Sequence, residues 1–342
     1  MDRIDDLVVE MTTIEQLSAT QLASFTACAE AVRAESFADD APFTQAWVLA
    51  RYSSQQRTFP KHVLLGSHDD SIVGIGYLEF DRTGRNDDAV HVNLQVHPEH
   101  RRRGIATALV ARAVGAAKED QRTKLNAWGQ RTGPMIEFWQ AMGAAESFRS
   151  QMSRLRLAAV DEQLISDWIA AAQPARDGGY RLHGWQGNCP DELLERYAVA
   201  LCGMGDAPHE DLDLAPEAHT PATIREHEKR WLDVGSEPWA MLITAPDGSA
   251  AAMTEVIVHG NRPSELQQES TATIGPHRRR GLGRWIKAAM MRRVLDANLG
   301  ADYISTGNAD SNDAMLAINR QMGFRYHSSF AGLQVDVDDV RI

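Results

Sequence analysis

Apolar and polar residues follow one another along this chain in an order that is written twice. In the first half, KHVLLGS (61–67) and SIVGIGYLEF (71–80) are short apolar runs either side of Asp69-Asp70, which predicts two strands and a turn. AVHVNLQV (89–96) alternates like a further strand. From Gly104 to about Lys118 the period changes to that of a helix, with Ile105, Leu109, Ala113 and Ala116 on one face. KLNAW (124–128) is a short strand, Gly133-Pro134 opens a helix that runs to Gly143, and ESFRSQMSRLRL (146–157) alternates as a closing strand or pair. In the second half, WAMLITA and AAMTEVIVHG are strands about the turn Pro246-Asp247-Gly248. QQESTATI (267–274) is the next strand, and Gly283 to about Asn298 is helical. DYISTGN is a strand, Asn312 to Met322 is a helix stopped by Gly323, and FAGLQVDV (330–337) closes the half.

Between the halves, Val160 to Gln173 reads as a helix followed by the loop Pro174 to Gly179, which places a boundary around 158–176. Residues 186–235 read as extra helices specific to the second half, with a polar loop, GDAPHEDLDLAPEAHTP, inside them.

The duplication is also visible as text. HPEHRRRGIATAL begins at His97 and GPHRRRGLGRWI at Gly275, so Arg101 recurs as Arg278, 177 residues on. MIEFWQAMGA and MLAINRQMGF repeat in the same order, from Met135 and from Met315. Such an interval is far longer than a solenoid repeat and fits a duplicated domain. A chain of 342 residues has room for two.

Composition narrows the partners. Hydrophobic residues make up 43% and charged residues 24%, an ordinary globular balance. No apolar run has the length of a membrane span, and MDRIDDLVVE carries acids where a signal peptide carries bases, so the protein reads as cytoplasmic and without a membrane partner. A net charge of −12 argues against a nucleic-acid partner and is compatible with a cationic substrate. The three cysteines, Cys28, Cys189 and Cys202, are too few and too scattered for a disulfide framework or a thiolate zinc site, and no metal is expected.

The repeated stretch has a chemistry of its own. A strand ends, arginines follow, small residues recur two positions apart, and a helix begins. That order aims backbone N–H groups and the positive end of a helix at one point, where a phosphate or pyrophosphate would sit. The spacing is Arg101-x-x-Gly104-x-Ala106 and Arg278-x-x-Gly281-x-Gly283. It is neither a Walker A loop nor the G-x-G-x-x-G dinucleotide turn.

On these residues the chain resembles a tandem member of the GNAT superfamily of acetyl-CoA-dependent N-acetyltransferases, whose phosphate signature is Arg/Gln-x-x-Gly-x-Gly/Ala. QQESTATIGPHRRRGLGRWIKAAMM, TGNADSNDAMLAINRQMGFRY and MGDAPHEDLDL are similar to phrases of an actinobacterial tandem group, to which mycothiol synthase is a more distant relative. The resemblance implies an α/β (α+β) chain of two tandem GNAT-type domains, 1–160 and 175–342, each a mixed, centrally splayed sheet flanked by helices. It implies acetyl-CoA as acyl donor. Arg101, Arg102, Arg103, Gly104, Ile105 and Ala106 would hold its pyrophosphate in one domain, and Arg278, Arg279, Arg280, Gly281, Leu282 and Gly283 in the other. Leu94 and Val96, and Thr273 and Ile274, would line the pantetheine arm. Asn308 and Asn312 are candidates for contacts to that arm, with helix capping as the plainer role.

Direct attack by an amine needs a base, a polarising group and a proton for the departing thiolate. Glu255 and Glu269 are the candidate bases, against the plainer reading of exposed strand carboxylates, and His91 is the comparable residue in the first half. The family's tyrosine acid is replaced by Asn319 in the second half and Trp139 in the first, and Thr132 stands opposite Asn312. Tyr303 and Tyr326 lie nearby in sequence. Trp285 faces either core or cofactor, and the acidic loop Asp206 to Asp213 is either a lure for a cationic amine or a solvated loop. Which half is active stays open. So does the choice between a small-molecule amine acetyltransferase, a protein N-acyltransferase and an acyl-CoA-binding sensor, and oligomer formation is open too.

Overall fold

The computed structural model describes residues 4, 6–54, 58–203, 215 and 218–342. In chain order the elements are β1 (Val8–Thr12), α1 (Ala19–Ser36), α2 (Gln45–Tyr52), β2 (Lys61–His68), β3 (Ser71–Phe80), β4 (Ala89–Val96), α3 (Ile105–Glu119), β5 (Lys124–Gln130), α4 (Pro134–Ala141) and β6 (Ala145–Arg156). Then follow α5 (Glu162–Ala170), α6 (Gln173–Asp177), β7 (Arg181–Gln186), α7 (Asp191–Cys202), α8 (Pro221–Asp233), β8 (Ser236–Thr244), β9 (Ala250–His259), β10 (Glu265–Thr273), α9 (Leu282–Ala297), β11 (Tyr303–Ala309), α10 (Asp313–Met322) and β12 (Arg325–Asp336).

These elements form two compact units, and the units do not respect the order of the chain. The first takes the residues up to Arg149 and also Ser329–Ile342; the second takes most of the chain from Ser150 to Ser328. The strand order is β1-β2-β3-β4-β5-β12 in the first unit and β7-β8-β9-β10-β11-β6 in the second. Among the described residues, the pairings within each unit are antiparallel except β4–β5 and β10–β11, which are parallel. The closing strand of each half is therefore the last strand of the other unit. Phe330 to Asp336 pair antiparallel with Gln130 to Lys124, and Ser150 to Arg156 with Ala309 to Tyr303. A contiguous division into 1–160 and 175–342 misassigns both strands. Their alternation is satisfied by any sheet edge that buries one face, so sequence alone does not say which edge receives them.

Both faces of each sheet are covered. In the first unit α3 packs over Leu64, Leu78, Val92 and Leu94, and α1 and α2 cover Val63, Leu65 and Ile75 on the other side. Burial on both faces is why β2 reads as an unbroken apolar run. The second unit repeats this with α9 on one face and α7 and α8 on the other. Residues 186–235 are thus not an extra feature, because α7 and α8 stand between β7 and β8 as α1 and α2 stand between β1 and β2. The sequence hides α1 because it buries Phe25, Cys28, Ala29 and Arg33, and small residues give a faint stripe. Its start is clear in the structure: Ser18 and Gln21 form a reciprocal capping box. The linker expected as a loop holds α6, opened by Pro174 in its first turn. Trp285 lies in the α9 core, as the plainer of its two readings has it. No helix among the described residues is long and apolar enough to cross a membrane.

Candidate functional site

The two arginine turns have the same backbone. Arg102 and Arg279 take φ of 63° and 61°, and Gly104 and Gly281 take 85° and 76° as the caps of α3 and α9. Glycine suits the cap because a left-handed φ costs it no steric penalty. The first i→i−4 bonds of these helices are Ala108 N–H to Gly104 O and Trp285 N–H to Gly281 O, each 3.0 Å. The amides ahead of them have no partner within the helix and converge with the helix dipole at the mouth of the turn. Ala106 and Gly283 keep the second helical position small.

The arginines divide into two roles. The Nε of Arg101 donates to Val96 O at 3.3 Å, and the Nε of Arg278 donates to Thr273 O at 3.0 Å, so the first arginine of each triplet ties the turn back to its strand. Arg101 also makes a bidentate ion pair with Glu35 on α1, so its charge is matched within the fold. The side chains of Arg102, Arg103, Arg279 and Arg280 are exposed around the turns. Ile105 and Leu282 point into the core, so only their backbones belong to the turn.

Each sheet splays beside its turn. The parallel pairing of β4 with β5 stops at Val92↔Ala127, and that of β10 with β11 at Gln268↔Thr306. Beyond those pairs Leu94 and Val96 keep a strand partner on β3 and Thr273 one on β9, with no pairing to β5 or β11 among the described residues. Their other edges line the opening, where an extended ligand could add as a strand.

The two openings differ in chemistry. In the first unit Tyr77 pairs with Asn93 just past the apex, and the Asn93 amide donates across the gap to Trp128 O at 3.2 Å. In the second unit the corresponding place on β9 is Glu255, and β10 carries a bulge between Gln268 and Thr271. The bulge sets Glu269 and Ser270 opposite Glu255. Gly307 takes the place of Trp128, with open space where a Cβ would stand.

Glu255 is buried, and its pKa is raised to about 8. Burial is the main cause and the Glu269 charge the next; the Tyr197 phenol pulls the other way. Tyr197, on α7, is itself buried with its acidity suppressed. Its hydroxyl faces Glu255 and has no other polar partner among the described residues. Glu269 accepts from Gln267 Nε2 at 2.5 Å. With its pKa raised to about 8, Glu255 holds a proton at neutral pH. His91 lies across from Glu79 in the first unit, kept neutral by burial.

Both asparagines have structural partners. Asn312 caps α10 through its Oδ1, and Asn308 accepts from Asn319 Nδ2 at 2.7 Å. Asn319 and Trp139, in the places of the expected acid, are both fully buried. Tyr326 is exposed, and Tyr303 is buried beneath the Arg154 guanidinium. The acidic loop Asp206 to Asp213 lies outside the described residues. Sequence reading overlooked Tyr197, Gln268 and Lys287. Setting the halves side by side gives the signal for Lys287, which stands 177 residues after the core residue Val110.

Comparison with known proteins agrees with this geometry. Residues 26–144 match the acetyltransferase (GNAT) family model. Mycothiol acetyltransferases of Mycobacterium ulcerans and Mycobacterium marinum are 31% and 30% identical over 148 residues, 43% of this chain and 40% of each relative's length. A tandem GNAT protein from the clavulanic acid biosynthesis pathway superposes over 96% of this chain and 99% of its own, with a TM-score of 0.78 at 22% identity. A GCN5-related N-acetyltransferase from Sphaerobacter thermophilus covers 98% of this chain and 97% of its own, with a TM-score of 0.65 at 12% identity. At these identities the structural likeness is one of fold. The chain has the fold of tandem GNAT proteins, and its residues 26–144 match the acetyltransferase (GNAT) family model.

Proposed function

We propose that the protein is an acetyl-CoA-dependent N-acyltransferase that acylates the primary amine of a small molecule, with the chemistry in the second unit. The observation that carries this is the Glu255–Glu269 pair, set across a strand bulge at the mouth of a splayed sheet and beside an anion-cradling turn. The backbone from Arg279 to Gly283 fits a pyrophosphate, and the open edge of β10 at Thr273 and Ile274 fits the pantetheine arm. Bound there, acetyl-CoA supplies an acyl thioester. An ammonium is drawn to the carboxylates, and Glu255 in its ionised form takes a proton from it. The free amine attacks the thioester carbonyl, and the nitrogen loses a second proton as the thiolate leaves and gains one. Attack without an acyl-enzyme is supported by Cys28 and Cys189, whose buried thiols are pushed up to about 12 and stay protonated.

The first unit supports a second role. Tyr77 and Asn93 replace the carboxylates, and Asn93 spans the gap, so this unit is read as an acyl-CoA binder or scaffold without turnover.

Calorimetric titration of acetyl-CoA into wild type, Gly104→Trp and Gly281→Trp tests both readings. An indole at either glycine blocks the turn and strains a left-handed backbone. Gly281→Trp should lose its acetyl-CoA site and all acetyl transfer, whereas Gly104→Trp should keep turnover with circular dichroism unchanged in both. A wild-type protein that binds no acetyl-CoA would overturn the cofactor, and turnover lost only in Gly104→Trp would move the chemistry to the first unit.

A further inference from the structure

Four core positions beneath the bulge distinguish the second unit from the first. Strand register and the repeat interval pair Gln268 with Val92, Thr254 with Gly76, Thr271 with Leu94, and Lys287 with Val110. The first unit has only apolar residues or glycine there, and its β4 runs without a bulge beside β3. In the second unit all four are polar. Gln268 Nε2 donates to Glu255 O at 2.6 Å, to Thr254 Oγ1 at 3.0 Å and to Thr271 Oγ1 at 3.4 Å. The two threonine hydroxyls are 2.8 Å apart. Lys287, on α9, reaches Gln268 Oε1 at 3.4 Å from within the core, with its Nζ over the Phe324 ring.

Buried polar groups are costly in a core, and apolar residues of similar volume serve packing as well or better. The first unit shows that this fold accepts the apolar set. Gln268 is also the last residue of β10 paired with β11 before the splay, and the bulge starts at the next residue. We infer that Gln268, Thr254, Thr271 and Lys287 form a positioning cluster that holds the β10 bulge and so keeps Glu269 beside Glu255. The Gln268 amide clamps the β9 backbone at Glu255 itself. The two threonines bracket the bulge from either strand, and Lys287 fixes the Gln268 amide in the donating orientation. None of the four acts on substrate. Their effect passes through the separation of the two carboxyl groups. This rests on the reading that the second unit is the reactive one.

The same carboxyl groups provide the test. Glu255 is faced by Glu269, Tyr197, Glu228 and Arg230. Of these only Glu269 rides on the bulge, so releasing the bulge should lower the Glu255 pKa. The 13C-labelled glutamate carboxyl signals would be titrated in wild type, Gln268→Val and Lys287→Met, with Glu255→Gln to assign the resonance. Each variant should bind a proton at Glu255 roughly tenfold more weakly than wild type. Turnover should drop on the order of 10²-fold, as expected for a base displaced by about an ångström. Acetyl-CoA affinity, set by the turn ahead of α9, should stay within about threefold. Should a single variant not fold, the full replacement by the first unit's residues (Val, Gly, Leu and Val) carries the same readout in a repacked core. A Glu255 pKa and turnover both unchanged in folded variants would overturn the proposal. Failure to acetylate any amine would count against the reading of function, and the titration would still decide whether the cluster sets the carboxyl pair.

Discussion

Replacing Glu255 with Gln should lower turnover by about 10²–10⁴-fold, the usual contribution of a general base. On the proposed reading it should leave acetyl-CoA binding intact, since the backbone of Arg279 to Gly283, and not Glu255, would hold the cofactor. The pH profile carries the sharper expectation. With a pKa near 8, wild-type Glu255 is protonated and idle at pH 6, so kcat/KM should climb through pH 8. The variant should lose that limb and keep only the rise due to the substrate amine. Stability moves the opposite way. The folded state holds a proton at Glu255 between the ordinary carboxylate value of 4.5 and about 8, where the unfolded chain does not. Folded stability should therefore decline as pH rises through that window, and Glu255→Gln should remove the decline. Thermal melts from pH 5 to 9 would show it. A variant with wild-type turnover and an unchanged acid limb would exclude Glu255 as the base.

A second large effect concerns the exchanged strands. Leu333 is fully buried among first-unit residues such as Leu125 and Val90, although it lies near the end of the chain. Leu155 is buried among second-unit residues such as Ile304 and Leu282, although it lies in the first half. Each truncation to alanine should cost about 2–5 kcal/mol through lost transfer energy and the cavity left behind. Hydrogen exchange read by mass spectrometry should place the damage. Leu333→Ala should loosen β4 and β5 while β8 to β10 keep their protection, and Leu155→Ala should do the reverse. Loosening that follows the halves of the sequence instead would contradict the exchange.

Much of this molecule was legible before its structure. The duplication, most strands, α3, α9 and the paired arginine turns follow from local signals: alternation, helical spacing and a glycine where the backbone must turn left-handed. Glu255 and Glu269 could be named from their strands. Their relation could not, because a single bulge residue changes which side chains oppose one another, and a one-residue shift carries no mark in composition. The raised pKa of Glu255 likewise depends on α7 and on Glu269 across the bulge, contacts between segments far apart in the chain.

Sequence by itself determined the two-fold repeat and the paired arginine–glycine turns, because both rest on residues adjacent along the backbone. Tertiary structure alone decided the destinations of β6 and β12, the matching of α1 and α2 with α7 and α8, and the polar cluster under the bulge. Strand alternation tells which face is buried but not which edge is joined. Alanine-rich helices hide their stripe, and a buried lysine declares itself only once its neighbours are in place.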